Sequence, residues 1–247
     1  MKVLVIGETC VDKFIYGKIN RLSPEAPVPV FNPTRKTTNP GMAGNTTANI
    51  KALVSDATIW HLTQEENITK TRYVEDKSNH MFIRVDEGEE IISQFKWTPY
   101  VDVMLGEADV VIVSDYNKGF LSNGDLKEIA RKSKLSILDS KRNLTDDIIK
   151  GFTFVKLNES EHINNSSLTA DNIIVTLGKR GAKYRDIIFE SPKPQDTIDV
   201  SGAGDTFTAA FIVKYFQTKD IPLSIKFANE KSSEVVSKRG VVIPKIE

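Results

Sequence analysis

The chain has 247 residues, 40% of them apolar and 27% charged, with 33 basic side chains against 33 acidic ones. That length suits one α/β-sized domain or two small ones with a substantial core, and the zero net charge gives no general electrostatic basis for binding nucleic acid or an anionic membrane. A single cysteine, Cys10, and three histidines exclude a disulfide framework and a Cys/His zinc site.

The first residues, Met1–Ile6, are too short for a signal-peptide core and run directly into Gly7-Glu8. No stretch approaches the roughly 18 apolar residues of a spanning helix, so a cytoplasmic protein is expected. Val3–Ile6 instead reads as a buried first strand. Similar apolar runs recur at 57–62, 110–113, 135–138, 153–157 and 173–176. Strands without polar alternation are those covered on both faces, as in a parallel sheet flanked by helices. Helices are expected over 45–54, about 99–107, 122–133 (capped by Ser122, with Asp125 at its positive end), 203–217 and 222–237. This β-α alternation predicts a three-layer α/β/α domain over 1–247 with a mostly parallel central sheet.

Two regions, about 13–32 and 68–86, break the rhythm. Alternating segments such as Thr71-Arg72-Tyr73-Val74-Glu75 and Met81-Phe82-Ile83-Arg84-Val85 read as half-exposed antiparallel strands of one small projecting sheet, a lid. Pro24, Pro27 and Pro29 leave Ser23–Val30 as a connector or an edge.

The chemistry concentrates in Asp199-Val200-Ser201-Gly202-Ala203-Gly204-Asp205, which opens the apolar helix near the C-terminus. Gly202, Ala203 and Gly204 leave free N–H groups and a positive dipole end aimed at one spot, an anion site, with Asp205 beside it. Phosphoryl transfer to a hydroxyl needs this pairing: amides hold the transferring phosphate while the carboxylate takes the alcohol's proton. Phe207 stands where a dinucleotide fingerprint needs a third glycine, and no Gly-x4-Gly-Lys-Ser/Thr loop occurs. Taken alone, Gly-x-Gly-Asp reads first as the start of an ordinary helix with a dipole-compensating acid.

Together with Gly41-Met42-Ala43-Gly44-Asn45, this stretch resembles the signatures of the PfkB-type, ribokinase-like carbohydrate kinases. The resemblance implies a ribokinase-like fold, ATP as donor, Mg²⁺, a sugar acceptor and a homodimer formed through the lid. It also implies roles: Asp205 as catalytic base with Gly202–Gly204 as the anion hole, and Asp12, Gly41, Gly44 and Asn45 around the sugar. Asn158 and Glu161 resemble the family's Asn-x-x-Glu, making Glu161 the metal-side residue. Thr176, Gly178 and Gly181 resemble its nucleotide turn, and Asn229 the position bordering adenine. Asp199, Ser201 and the Arg239-Gly240 loop match positions that hold a monovalent cation in some relatives.

Residues 21–30, 69–73, 114–119 and 138–141 resemble those family members that phosphorylate the anomeric hydroxyl of D-glycero-D-manno-heptose 7-phosphate in lipopolysaccharide synthesis. A sugar phosphate calls for convergent Lys or Arg; of Lys70, Arg72, Arg84, Lys118 and Lys141, the expected grip is Arg72 and Lys141. Another sugar or nucleoside as acceptor, and a non-catalytic sugar-phosphate or nucleotide binder, are the alternatives. Only Thr63–Asn67 separate the strand ending near Leu62 from the lid, too few for a parallel crossover, so one βα unit of the family is missing. Met42 departs from the family's glycine segment and narrows the expected pocket. With the chain ending at Glu247, the nucleotidyltransferase domain fused to this kinase in many bacteria is not expected.

Overall fold

A computed structural model describes residues 1–192 and 202–236. The chain runs through β1 (Lys2–Gly7), β2 (Thr9–Leu22), β3 (Pro29–Met42), α1 (Ala43–Leu53), β4 (Thr58–Leu62), β5 (Ile68–Glu75), β6 (Met81–Glu87), α2 (Pro99–Glu107) and β7 (Val110–Asp115). It continues with α3 (Asn123–Lys132), β8 (Ser136–Ser140), α4 (Asp146–Ile149), β9 (Phe154–Asn158), α5 (Glu159–Asn164), β10 (Ile173–Thr176), β11 (Ala182–Tyr184), β12 (Ile187–Phe189), α6 (Ala203–Thr218) and α7 (Ile221–Val236).

Eight strands form the main sheet in the order β12-β11-β10-β9-β8-β7-β1-β4, parallel except for the β10-β11-β12 hairpins. The apolar runs fold as expected because alternate residues of one strand feed two cores. In β1, Val3 and Val5 join the cluster packed by α1, α6 and α7, while Leu4 and Ile6 join the one packed by α2 and α3. All four are fully buried, and each such side chain contributes about 1.5–3 kcal/mol. The helix α3 carries the Ser122–Asp125 capping box that its sequence announces.

The second sheet, β3-β2-β5-β6, is the lid. It is larger than the sequence indicates, because β2 begins at Thr9 and β3 runs to Met42. The prolines resolve into a connector followed by an edge strand, and an edge is where proline's missing N–H is tolerated. Most of β3 is exposed on both faces, so it lacks the alternation that would reveal it. The short α4 and α5 and the three-residue strands β11 and β12 also depart from the expected elements.

The missing crossover shows in the topology: β4 is the edge of the main sheet, and residues 63–67 lead directly into β5 of the lid. The side-chain amide of Gln64 secures this shortcut by accepting from the Thr9 N–H at 3.0 Å and donating to its carbonyl at 2.7 Å. Among the described residues no helix is long and apolar enough to cross a membrane.

Candidate active site

The carboxyl ends of β1, β7, β8, β9 and β10 converge on one side of the main sheet, where open α/β sheets place their ligands. There the first turn of α6 faces a cavity of about 550 Å³, whose lining includes Tyr116, Asp139, Lys156, Gly202, Gly204 and Asp205.

Asp205 is 5% exposed. Asn45 donates to its Oδ2 at 2.8 Å and the Tyr116 hydroxyl to its Oδ1 at 2.9 Å. Burial, with the nearby charge of Asp139, pushes its pKa up to about 6 against the lowering effect of those two hydrogen bonds. The Tyr116 phenol is driven well above its usual range by burial and then by Asp205, so its proton stays on the phenol. The result is a carboxylate held on both oxygens and ionised at neutral pH, yet basic enough to take a proton.

Two further side chains approach the start of α6. Lys156, on β9 and 2% exposed, donates to Asp139 Oδ2 at 3.0 Å, and its ammonium lies 3.0 Å from where a Cβ on Gly204 would stand. Thr208 donates to the same Asp139 oxygen at 3.1 Å, while Asp139 Oδ1 is buried without a hydrogen bond. Despite the cost of burial, Lys156 and Lys141 hold the Asp139 pKa below its usual value.

Lys141, Asn158, Thr176 and Gly178 share the cavity wall with Asp205. Gly181 and Asn229 are not on it. At φ 92°, Gly181 has no room for a Cβ, which would stand 2.1 Å from the Phe189 carbonyl, and the Asn229 amide donates to that same carbonyl at 2.7 Å. Both therefore shape the β11–β12 hairpin. Ala203 is half-buried at the start of α6, off the cavity lining.

Glu161 closes a capping box on α5, accepting from the Asn158 N–H at 2.7 Å, and its other oxygen pairs with Lys141. Among the described residues no cluster of three or more His, Cys, Asp or Glu could cage a metal ion. Magnesium that arrives on nucleotide phosphates keeps most of its waters and needs few protein ligands. Asp139, with its unsatisfied buried oxygen, fits that demand from the wall, while Glu161 stands off the cavity lining, paired with the wall residue Lys141.

Asp12 lies on the inner face of the lid, paired with Arg72 Nη1 at 2.5 Å. Gly41 is required beside it, since a Cβ there would stand 2.2 Å from Asp12 Oδ2 and 2.6 Å from Cys10 Sγ. Gly44 is buried in the first turn of α1, one residue before Asn45. Cys10, on the same lid face, packs near Tyr116, whose hydroxyl donates to Asp205. Met42 and Ile68 belong to the same cluster. Asp12, Arg72 and Asn45 thus gather on the lid side of Asp205, whereas Lys141 lines the cavity with its ammonium 5.6 Å from the centre of the Tyr116 ring. Asp199, Ser201 and Arg239-Gly240 lie outside the described residues.

Four contributors are absent from the sequence-based list: Tyr116, Asp139, Lys156 and Glu8. Glu8 is fully buried and accepts the backbone N–H groups of Tyr116 at 2.8 Å, Lys118 at 2.9 Å and Phe120 at 3.3 Å. It clamps the loop that presents Tyr116. Burial, followed by the Asp115 charge, raises its pKa. A charged residue inside an apolar run, such as Lys156 in Phe154-Val155-Lys156-Leu157, is a signal that marks Lys156 and Asp139 as unusual without giving their role.

Residues 144–247 match the pfkB family carbohydrate kinase profile. The chain is 27% identical over 296 positions to the "Bifunctional protein HldE" of a Nitratiruptor species, covering 100% of this chain and 63% of that protein. It is 28% identical over 295 positions to the protein of the same name from Rhodopseudomonas palustris, covering 96% and 60%. The chain thus spans about three-fifths of the length of these relatives. In fold it is similar to Escherichia coli phosphofructokinase-2 in complex with potassium, with TM-score 0.75, 14% identity and coverage of 98% and 94%. It is likewise similar to Arabidopsis thaliana ribokinase complexed with ribose and ATP, with TM-score 0.72, 15% identity and coverage of 98% and 95%. The architecture is ribokinase-like.

Proposed function

We propose that this chain, which carries a pfkB family carbohydrate kinase domain, transfers the γ-phosphoryl group of ATP to a sugar hydroxyl with Asp205 as the base. The observation that carries the reading is the position of Asp205: buried, oriented by Asn45 and Tyr116, and set at the mouth of α6 on a cavity wall shared with Asn158, Thr176 and Gly178.

In this reaction the acceptor hydroxyl gives its proton to Asp205 while its oxygen attacks the γ-phosphorus, and ADP leaves. The amides at the start of α6, Gly202 to Gly204, face the charge that builds on the transferring group. The Lys156 ammonium beside Gly204 adds a fixed positive charge there. Magnesium on the nucleotide would neutralise the phosphates, held by Asp139 from this wall and by Glu161 from behind Lys141. Lys141, Asn158, Thr176 and Gly178 take the donor side, and the hairpin held by Gly181 and Asn229 borders the base of the nucleotide. Asp12, Gly41, Gly44 and Asn45 take the sugar.

For the acceptor we favour the anomeric hydroxyl of D-glycero-D-manno-heptose 7-phosphate in lipopolysaccharide synthesis. Support comes from the four sequence stretches above and from similarity, along 96–100% of this chain, to proteins named HldE. A cytoplasmic location follows from the need for ATP. A homodimer through the lid would cover its outer face, which exposes Val11, Ile83 and Val85. Light scattering at the monomer mass would remove that assembly.

The deciding test is ATP consumption with heptose 7-phosphate, ribose, fructose 6-phosphate and adenosine. Turnover with the first alone supports the full reading, and turnover with another acceptor keeps the kinase and changes its substrate. Binding of nucleotide without turnover across the panel replaces the enzyme with a binding module.

A further inference from the structure

Outside the cavity, the described residues form a dense charge cluster on the inner face of the lid. Cross-strand register sets Lys70 opposite both Asp12 and Asp86, and Arg72 opposite Arg84. Arg72 is committed to Asp12 at 2.5 Å, and Arg84 to Asp86 at 2.6 Å. Lys70 is different. Its side chain is 10% exposed, and its ammonium stands 2.5 Å from Glu89 Oε1, while Lys118 takes Glu89 Oε2, also at 2.5 Å. One carboxylate therefore separates two ammonium groups that come from distant parts of the chain.

Glu89 is held here by charge: its Oε1 pairs with Lys70 and its Oε2 with Lys118. It sits on a segment outside regular secondary structure, directly after Gly88, whose φ is +80°. Lys118 also sits on a loop, but that loop is fixed: Glu8 accepts its backbone N–H in the same clamp that presents Tyr116 to Asp205. The two-lysine site is thus built into the framework of the base, and its occupant is not.

Charge counting gives the chemical class of the ligand. Lys70, Arg72, Arg84 and Lys118 face Asp12, Asp86 and Glu89, and displacing Glu89 leaves an excess of two positive charges. A phosphate monoester carries about two negative charges near neutral pH, and its oxygens suit two separate ammonium donors. We infer that Lys70 and Lys118 form the subsite for the phosphate group of a phosphorylated acceptor, and that Glu89 occupies it until that phosphate displaces it. The inference rests on the kinase reading for its biological sense. It moves the acceptor's anion grip away from Lys141, which lines the cavity's donor wall, and from Arg72, which Asp12 already holds.

The test is calorimetry with inorganic phosphate in the presence of a saturating non-hydrolysable ATP analogue, which fills the donor side. It is followed by binding of heptose 7-phosphate and of the same heptose without phosphate. Glu89→Gln is expected to tighten phosphate binding by roughly tenfold through loss of the competing charge, and Lys118→Met to weaken it by at least about tenfold. Affinity for the nucleotide analogue and for the unphosphorylated sugar stays unchanged in both variants. Phosphate affinity that is unchanged or weaker in a folded Glu89→Gln protein overturns the subsite, as does wild-type affinity in Lys118→Met. Lys118 is partly exposed, so its variant decides the matter even if Lys70→Met fails to fold. Calorimetry needs no turnover, so a protein that binds phosphate in this way but consumes no ATP with any acceptor loses the kinase reading alone.

Discussion

The Tyr116 hydroxyl donates to Asp205 across 2.9 Å, and the two residues come from opposite sides of the site, one from the loop after β7 and the other from the first turn of α6. The tyrosine holds its proton tightly, so it stays a hydrogen-bond donor to the carboxylate.

Asp205→Asn keeps the shape and removes the base. Turnover is expected to fall by about 10³-fold or more while ATP affinity stays within about twofold. Steady-state kinetics and nucleotide titration check this, and substantial residual kcat would remove Asp205 from its role.

The pH profile follows from the raised pKa of about 6. The base works ionised, so kcat is expected to drop below about pH 6 and to level off above it. Tyr116→Phe deletes a hydrogen bond that lowers this pKa, so the acidic limb moves to higher pH and kcat at neutral pH falls by about two- to fivefold. An unmoved limb would show that Tyr116 acts elsewhere.

Stability carries the opposite sign. A carboxyl group with a folded pKa above its unfolded value near 3.8 binds protons more tightly in the native state, so its ionisation destabilises the fold as pH rises through about 6. Asp205→Asn removes that cost. Its melting temperature is expected to exceed that of the wild type at about pH 8 by a few degrees, at about 2–4 °C per kcal/mol, with the gap closing towards about pH 4. A gap that widens in acid contradicts the assignment.

Gly41→Ala drives a methyl group into the Asp12 carboxylate and the Cys10 sulfur. The expected result is a rise of at least about tenfold in KM for the acceptor, with ATP affinity preserved, because the intrusion lies on the lid side of the site. Equal losses for both substrates would mean that the lid itself had collapsed.

The layers of the fold were legible because apolar runs such as Val3–Ile6 and Val110–Val113 are buried on both faces. The strand β3 was hidden because residues such as Thr34–Thr38 are polar and exposed on both faces. Asp205 and the small residues before it were readable as a local motif, and Asn45 through the resemblance of the glycine segment. Tyr116, Asp139, Lys156 and Glu8 were not, because each acquires its role only when separate strand ends meet. The pairing of Glu161 with Lys141 is likewise a tertiary event, joining the end of β8 to the start of α5.

The joint at Met42 couples two tasks. The edge strand β3 ends on this residue, which adopts φ 58° outside glycine's usual monopoly, and α1 starts at the very next position, placing Asn45 three residues from the lid. No slack lies between the sheet that covers the acceptor and the amide that grips the base. Any tilt of that cover would be passed on to the Asn45–Asp205 hydrogen bond with no loop to absorb it.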